Sequence, residues 1–283
     1  MTAILLKLSV GLALIGLAMG LIERLWPAKP NQKFLRKGFW TDIAYWFMLP
    51  IISIPCTPLA LASAIHVAAE TCGIESVNAS LIIGFGPVAR QPVWLQTVEI
   101  ILLMDFLDYW SHRLLHTSWL WPIHAVHHSS DEIDWLAAVR NHPFNDFIQR
   151  TIAVMPLVLV GFEPALIAAC GVVFAFYGFF VHANIDTDLG PLNRIFVSPR
   201  LHRWHHTGPD EGGDRNFAGI LSLWDVMFGT FFHPVEKPTH FGTTEKLPGT
   251  VLGQLLWPIQ ELAALKKPAQ AAVITKWASC SRR

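Results

Sequence analysis

The 283-residue sequence is poor in charge. Asp, Glu, Lys and Arg together make up 15% of it, against 52% hydrophobic residues, and its mean hydropathy is +0.39. That leaves too little charge to coat a water-facing surface of this size, which argues against an ordinary soluble domain and for a chain whose solvent is lipid. Net charge is also lacking, with 21 basic and 21 acidic residues, so the balance points neither to nucleic acid nor to a polyanionic partner. Cysteines are few and scattered (Cys56, Cys72, Cys170, Cys280). Without a CxxC pair they exclude a zinc ribbon, a thioredoxin-like motif and a disulfide framework. The chain has no HExxH, no dinucleotide-binding glycine motif between a strand and a helix, no internal repeat and no low-complexity linker.

Histidine, by contrast, is abundant: there are 13, most of them in short clusters. Three motifs stand out: His112-Arg113-Leu114-Leu115-His116, His124-Ala125-Val126-His127-His128 and His202-Arg203-Trp204-His205-His206. Positions i, i+3 and i+4 lie on one side of a helix, so each motif is expected to aim two or three imidazoles at one point and to act as a half-site. Eight or more neutral nitrogen donors exceed what one tetrahedral zinc uses, which implies two metals. His182, ending an apolar arm, and His142, in Arg140-Asn141-His142-Pro143, are added as ligand candidates. His66, His233 and His240 stand outside any cluster and read as ordinary side chains. Asp108 forms an i, i+4, i+8 row with His112 and His116, so its carboxylate is expected to orient one of those rings, with Asp105 a weaker candidate.

The apolar runs set the expected topology. Ile4 to Ile22 is about long enough, at roughly 1.5 Å per residue, to cross a hydrocarbon core of roughly 30 Å. The following Glu23-Arg24-Leu25-Trp26-Pro27 is a poor cleavage site, so the run reads as a retained anchor rather than a signal peptide. Residues 24–37 hold Arg24, Lys29, Lys33, Arg36 and Lys37 with no acid, a cytoplasmic loop by the positive-inside rule. Phe39 to about Ala68, with Pro50, Pro55 and Pro58, reads as a kinked or broken span, and 69–91 as a loop on the opposite face. Val93 to about Trp110 reads as a third span that delivers His112. Ile152 to Val181, broken at Gly161-Phe162-Glu163-Pro164, reads as a hairpin that dips in and returns, with arms of about ten and seventeen residues. Val251 to Lys267 reads as an interfacial amphipathic helix and the tail after Pro268 as loosely ordered. The expected fold is all-α: a multi-pass integral membrane helical bundle with a cytoplasmic histidine-rich di-metal cap. Residues 1–91 are assigned to N-terminal spans, 92–235 to the metal-bearing domain and 236–283 to a peripheral segment.

From Asp105 to Phe232, the order HxxxH, HxxHH, apolar hairpin, lone His, HxxHH resembles the fatty acid hydroxylase / sterol desaturase superfamily, including its alkylglycerol monooxygenase-like and bacterial members. Supporting stretches are Asp108-Tyr109-Trp110-Ser111-His112-Arg113, Leu189-Gly190-Pro191-Leu192, Asn216-Phe217-Ala218-Gly219 and Leu223-Trp224-Asp225-Val226-Met227-Phe228-Gly229-Thr230. The resemblance implies a helical multi-pass fold and a di-iron centre of two iron ions, with dioxygen as co-substrate, a lipid substrate hydroxylated or desaturated, and a separate electron-donor protein. It places the protein in a bacterial inner membrane. His112, His116, His124, His127, His128, His182, His202, His205 and His206 match the family's ligand positions. His142 matches a His-Pro of many bacterial members, although here Asn141 stands where an aromatic usually precedes the His. The competing readings are a membrane zinc hydrolase and a non-enzymatic metal-binding or transport protein.

Overall fold

The computed structural model describes residues 2–72, 83–208 and 211–265. The expectations for Cys56, Cys72 and Cys280, for the centre of the 69–91 loop and for the tail after Pro268 lie outside the described residues or side chains. Among the described residues the fold is all-helical, with one isolated antiparallel bridge between Pro27 and Ile185. The helices are α1 (Thr2–Leu25), α2 (Phe39–Cys72), the single turn α3 (Gly86–Ala89), α4 (Val93–Leu115), α5 (Trp121–His128), α6 (Pro143–Val160), α7 (Pro164–His182), α8 (Pro199–His205), α9 (Leu223–Phe228) and α10 (Val251–Leu265). Short 3-10 turns span Trp135–Val139 and Gly190–Arg194.

The long helices run up and down between two ends of a bundle. At one end α1 and α7 finish side by side: Ala28 N–H donates to the Asn184 carbonyl at 3.1 Å and Asp186 N–H to the Trp26 carbonyl at 2.9 Å. The Glu23 carboxylate accepts from the Trp135 and Asn184 N–H groups, both at 2.9 Å. At the other end the turn between α6 and α7 meets residues 84–85 through the Phe85 N–H to Gly161 carbonyl bond of 2.9 Å. Gly161 has φ +109°, and a Cβ there would collide with the Phe85 carbonyl, so glycine is required. The histidine motifs all lie at the first end, and Gly84 lies at the other.

Three apolar clusters fill the bundle. Ile100, Leu157, Val158, Phe162, Ile167 and Cys170 pack the end away from the histidines. Tyr109, Val181, Val197, Leu201, Phe217 and Ala218 lie beneath them, and Trp46, Trp135, Leu136, Ala183 and Ile185 join α2 to α7. α1 buries none of its residues and leaves Leu6, Leu14, Leu17 and Leu21 exposed.

Several expectations need correction. Among the described residues only Thr2–Leu25 and Pro164–His182 are long and apolar enough to cross a membrane by length and composition. Val93–Leu115 carries Glu99, Asp105, Asp108 and Arg113, which dilute its apolar run. α2 is continuous through its three prolines, each of which removes one amide donor without breaking the helix. The first hairpin arm is 18 residues rather than about ten, because the helix starts at Pro143, well before the apolar run. α10 buries Gln254 and Trp257 and leaves Leu252, Leu256 and Ile259 exposed.

The basic 24–37 loop is also less open than its composition suggests. Lys29 pairs with Glu132 and Lys37 with Asp131. Arg36 is buried and bonds both Asp42, at 2.7 Å, and Asp134. Asp42 also takes Arg140 Nε at 2.5 Å, so Asp42, fully buried, bridges two buried guanidiniums and Asp134 supplies the second negative charge. Asp42→Ala leaves buried Arg140 with no carboxylate and Arg36 with Asp134 alone, with an expected loss of about 3–5 kcal/mol. Thermal unfolding of the detergent-solubilised protein measures this, and an unchanged Tm would contradict the network.

Candidate metal centre

The histidines form two groups rather than three half-sites. His112, His116, His124, His128 and His205 offer ligand atoms all within 4.8 Å of one another, and so do His127, His182, His202 and His206. Each HxxHH motif is divided between the two. α5 sends His124 and His128, at i and i+4, to the first group and His127, at i+3, to the second. α8 does the reverse, sending His202 and His206 to the second group and His205 to the first. The physical reason is helix geometry: i and i+4 differ by about 40° around the axis, whereas i+3 and i+4 diverge by about 100°. His112 and His116, at the end of α4, complete one group, and His182, the last residue of α7, completes the other. The rings interlock where α5 crosses α8: His128 stacks on His206 at 4.4 Å between centroids and meets His205 at 4.7 Å.

Within each group the Nε2 atoms face one another. His112 and His124 approach to 3.0 Å and His124 and His128 to 3.2 Å. In the second group His182 lies 3.1 Å from His127, 3.0 Å from His202 and 3.2 Å from His206. On the outside, six Nδ1 atoms meet acceptors: His112 donates to the Phe217 carbonyl (2.8 Å), His116 to Asp214 (2.8 Å), His124 to Asn145 Oδ1 (2.7 Å), His127 to the Arg140 carbonyl (3.0 Å), His182 to the Gly178 carbonyl (2.7 Å) and His205 to the Arg215 carbonyl (2.7 Å). Carbonyl and carboxylate oxygens only accept, so the proton sits on Nδ1 and the Nε2 lone pair points inward. The buried Nε2 atoms of His116 and His205 have no hydrogen-bond partner at all. Inward lone pairs with no protons between them call for cations. Two nitrogens each about 2.1 Å from one ion at right angles lie about 3.0 Å apart, which matches the observed spacing.

Burial keeps the rings neutral. It pushes His127 down to about 4 and holds His116, His124, His128, His202, His205 and His206 well below the ordinary imidazole value, neighbouring imidazoles adding to the effect. That favours metal binding at neutral pH.

One short loop serves the first group. Asp214, Arg215 and Phe217 supply acceptors to His116, His205 and His112 in turn, with Asp214 and Asn216 in the left-handed region at φ 59° and 54°, which Asp and Asn tolerate. The loop is pinned from behind. Asp225 accepts from the Phe217 and Ala218 N–H groups at 2.8 and 3.1 Å. Asp105 accepts from Ile220, Leu221 and the Trp224 indole at 2.8, 2.8 and 2.9 Å.

Two candidate residues take other roles. His142 stands apart from both groups: it caps α6 by accepting the Phe144 N–H at 3.2 Å, and its Nε2 faces the Leu255 carbonyl of α10 at 3.2 Å. With Pro143 at the first helical position, this histidine is held at the helix start. Asp108 touches neither His112 nor His116, whose outer nitrogens are already taken. It accepts instead from Gln149 at 3.3 Å, and Gln149 leads through Asn145 to His124. His233 and His240 lie outside both groups, beside Asp188 and Glu211. Sequence reasoning missed Asn145, Gln149, Asp214 and the four backbone carbonyls. Only Asp214 and Asn216, as residues suited to left-handed backbone, carried a signal.

Two outcomes follow from this geometry. His205→Ala should weaken metal binding in the group that contains His124, not the one containing its neighbour His206, and His127→Ala the reverse. Elemental analysis should find about one ion retained per chain in each, and His142→Ala should keep both. In metal-free protein the folded rings stay neutral while unfolded ones titrate near roughly pH 6.5. Their contribution is therefore intact above that pH and lost progressively as pH falls below it, toward about 4 for His127. The Tm of chelator-treated protein should drop between pH 7 and pH 5, and a flat profile would contradict the burial.

Residues 97–230, which carry all nine inward-facing histidines, match the family model described as Fatty acid hydroxylase. An ornithine lipid hydroxylase from Rhizobium tropici is 36% identical over 169 residues, 59% of this chain and 51% of the relative. An alkylglycerol monooxygenase from Danio rerio is 40% identical over 135 residues, 47% of this chain and 30% of the relative. A very-long-chain aldehyde decarbonylase from Oryza sativa subsp. japonica is 26% identical over 164 residues, 51% of this chain and 25% of the relative. The chain thus spans about half the length of these curated relatives, or less. No solved structure matches it. Both histidine groups lie within the matched stretch, just under half of the chain, and over that stretch the chain is similar to the fatty acid hydroxylase family.

Proposed function

We propose that the protein is a membrane-bound di-iron oxygenase that hydroxylates an unactivated C–H bond of a lipid. The observation that carries this reading is the pair of buried, all-imidazole groups with their lone pairs turned inward. Each group offers four or five imidazoles, more than the three protein ligands that a catalytic zinc of a hydrolase takes. Hydroxylation is favoured over desaturation because the relatives include a lipid hydroxylase and an alkylglycerol monooxygenase by name.

His112, His116, His124, His128 and His205 would hold one iron and His127, His182, His202 and His206 the other. The bound irons would supply the reductive activation of dioxygen and the attack on the C–H bond. The protein's own part is positional. Asp214, Asn145 and the carbonyls of Arg140, Gly178, Arg215 and Phe217 fix the tautomer and direction of six of the nine rings, and the surrounding apolar clusters keep bulk water from the site. The balance is R–H, dioxygen, two electrons and two protons giving R–OH and water. We assign the electrons to a separate donor protein docking at the histidine end.

Membrane embedding across several helices is part of the proposal. It is supported by α1 and α7 as candidate spans, by the exposed Val98, Leu102 and Leu103 of α4 and Val172, Val173 and Phe176 of α7, and by exposed tryptophans at both ends. Trp26 and Trp40 lie at the histidine end and Trp94 near the other. The histidine end would face the cytoplasm of a bacterial inner membrane, as the 24–37 basic residues suggest.

Cells expressing the protein under heavy dioxygen should accumulate a lipid carrying one labelled oxygen, and the His205→Ala strain should not. Label drawn from water, or no new oxygenated lipid from iron-loaded protein supplied with reductant, would overturn the proposal. Asp108→Asn should retain both irons while turnover falls roughly 10- to 100-fold, the range for a residue acting through a ligand's partners. Wild-type turnover would make it an ordinary helix residue.

A further inference from the structure

The segment after α7 and the segment before α10 meet over the outer side of α8 and enclose a cleft of about 260 Å³. Its lining includes Asp186, Arg200, Arg203, Lys237 and Phe241. Most of these charges are already paired: Lys237 bonds Asp186 at 2.5 Å and Arg200 bonds Asp188 at 2.8 Å. Arg203 is the exception. It is only 3% exposed. Its Nη1 donates to the Ile133 carbonyl at 3.3 Å and its guanidinium sits 4.6 Å from the centroid of the Phe241 ring. Among the described residues no carboxylate bonds it. The other buried arginines of this region, Arg36 and Arg140, each have a carboxylate in contact.

A guanidinium offers five N–H donors in a fixed fork, and here one is used. An arginine guanidinium stays protonated at neutral pH. A buried cation with spare donors, opening on a cleft rimmed by two further cations, is complementary to a planar or tetrahedral oxyanion. We propose that this cleft binds a phosphate or carboxylate group, gripped by Arg203 with Arg200 and Lys237 at its mouth. Because Arg203 directly follows the metal-group residue His202, the anion would be anchored on the same helical turn as the metal site. Where the anion is a lipid head group, that extension rests on the lipid-oxygenase reading, whereas the anion site itself does not.

The test is calorimetric titration of purified, iron-loaded protein in neutral detergent. Three probes separate the sources: inorganic phosphate, a short-chain phosphatidic acid and the matching uncharged diacylglycerol. Phosphate and phosphatidic acid should bind, with the diacylglycerol at least about 10-fold weaker. Phosphatidic acid tighter than phosphate would make the occupant a head group, and equal affinities would make it a free anion. Arg203→Gln should weaken phosphate binding about 10-fold or more. Lys237→Gln, on the exposed rim, should weaken it less and keeps the test decisive if Arg203→Gln fails to fold. Unaltered affinity in both variants, or a wild type that takes up the uncharged lipid as tightly as the acid and ignores phosphate, would overturn the site. Iron content, measured on the same samples, reports separately on the metal reading.

Discussion

Nine imidazoles held with their lone pairs turned toward one another are the constraint that orders the rest of this molecule. Nε2 atoms 3.0–3.2 Å apart without intervening protons gain nothing from their mutual contact, so their positions have to be imposed from outside. For six of the nine rings the Nδ1 partners impose them. Those partners are mostly carbonyls, which exist at the right place only if the backbone behind them is fixed, and buried carboxylates fix it. Asp105 and Asp225 hold the loop that serves His112, His116 and His205, at the cost of desolvating two acids that are then repaid by N–H donors.

The second group depends on a different support. The carbonyl of Arg140 accepts from His127 while its guanidinium is locked by Asp42 of α2 and by the Gly38 carbonyl at 3.1 Å. Arg36 and Asp134 extend that network to the 3-10 turn beginning at Trp135, against which Glu23 of α1 also bonds. The N-terminal helices are therefore tied to the metal groups by buried electrostatics, although they contribute no ligand.

Much of this was legible in the sequence, and the misses have physical causes. The HxxHH spacing identified the histidines that converge, because side-chain direction on a helix follows from spacing alone. It did not reveal that His127 and His205 turn away from their neighbours, because the point of convergence depends on how α5 crosses α8. Asp108 shares a face with His112 and His116, but the Phe217 carbonyl and Asp214 reach their outer nitrogens from across the bundle. His142 resembled a ligand by residue type, yet Pro143 behind it makes that position a helix start. The Phe217, Arg215 and Arg140 carbonyls carry no side-chain identity and were invisible to any reading of residue types. By length and composition the described residues support two spans, and runs such as Val93 to Trp110 include acids that serve the loop above.

The division of each HxxHH between the two groups has a further consequence. The interval between the two histidine groups is set by the pitch of α5 and α8, with roughly 1.5 Å and 100° separating adjacent residues, and not by the long chain between the motifs. Insertions into the segment after α7 can lengthen that chain without altering the interval. One residue inserted between His124 and His127, or between His202 and His205, would instead rotate its helix face by a full step and disassemble both groups together.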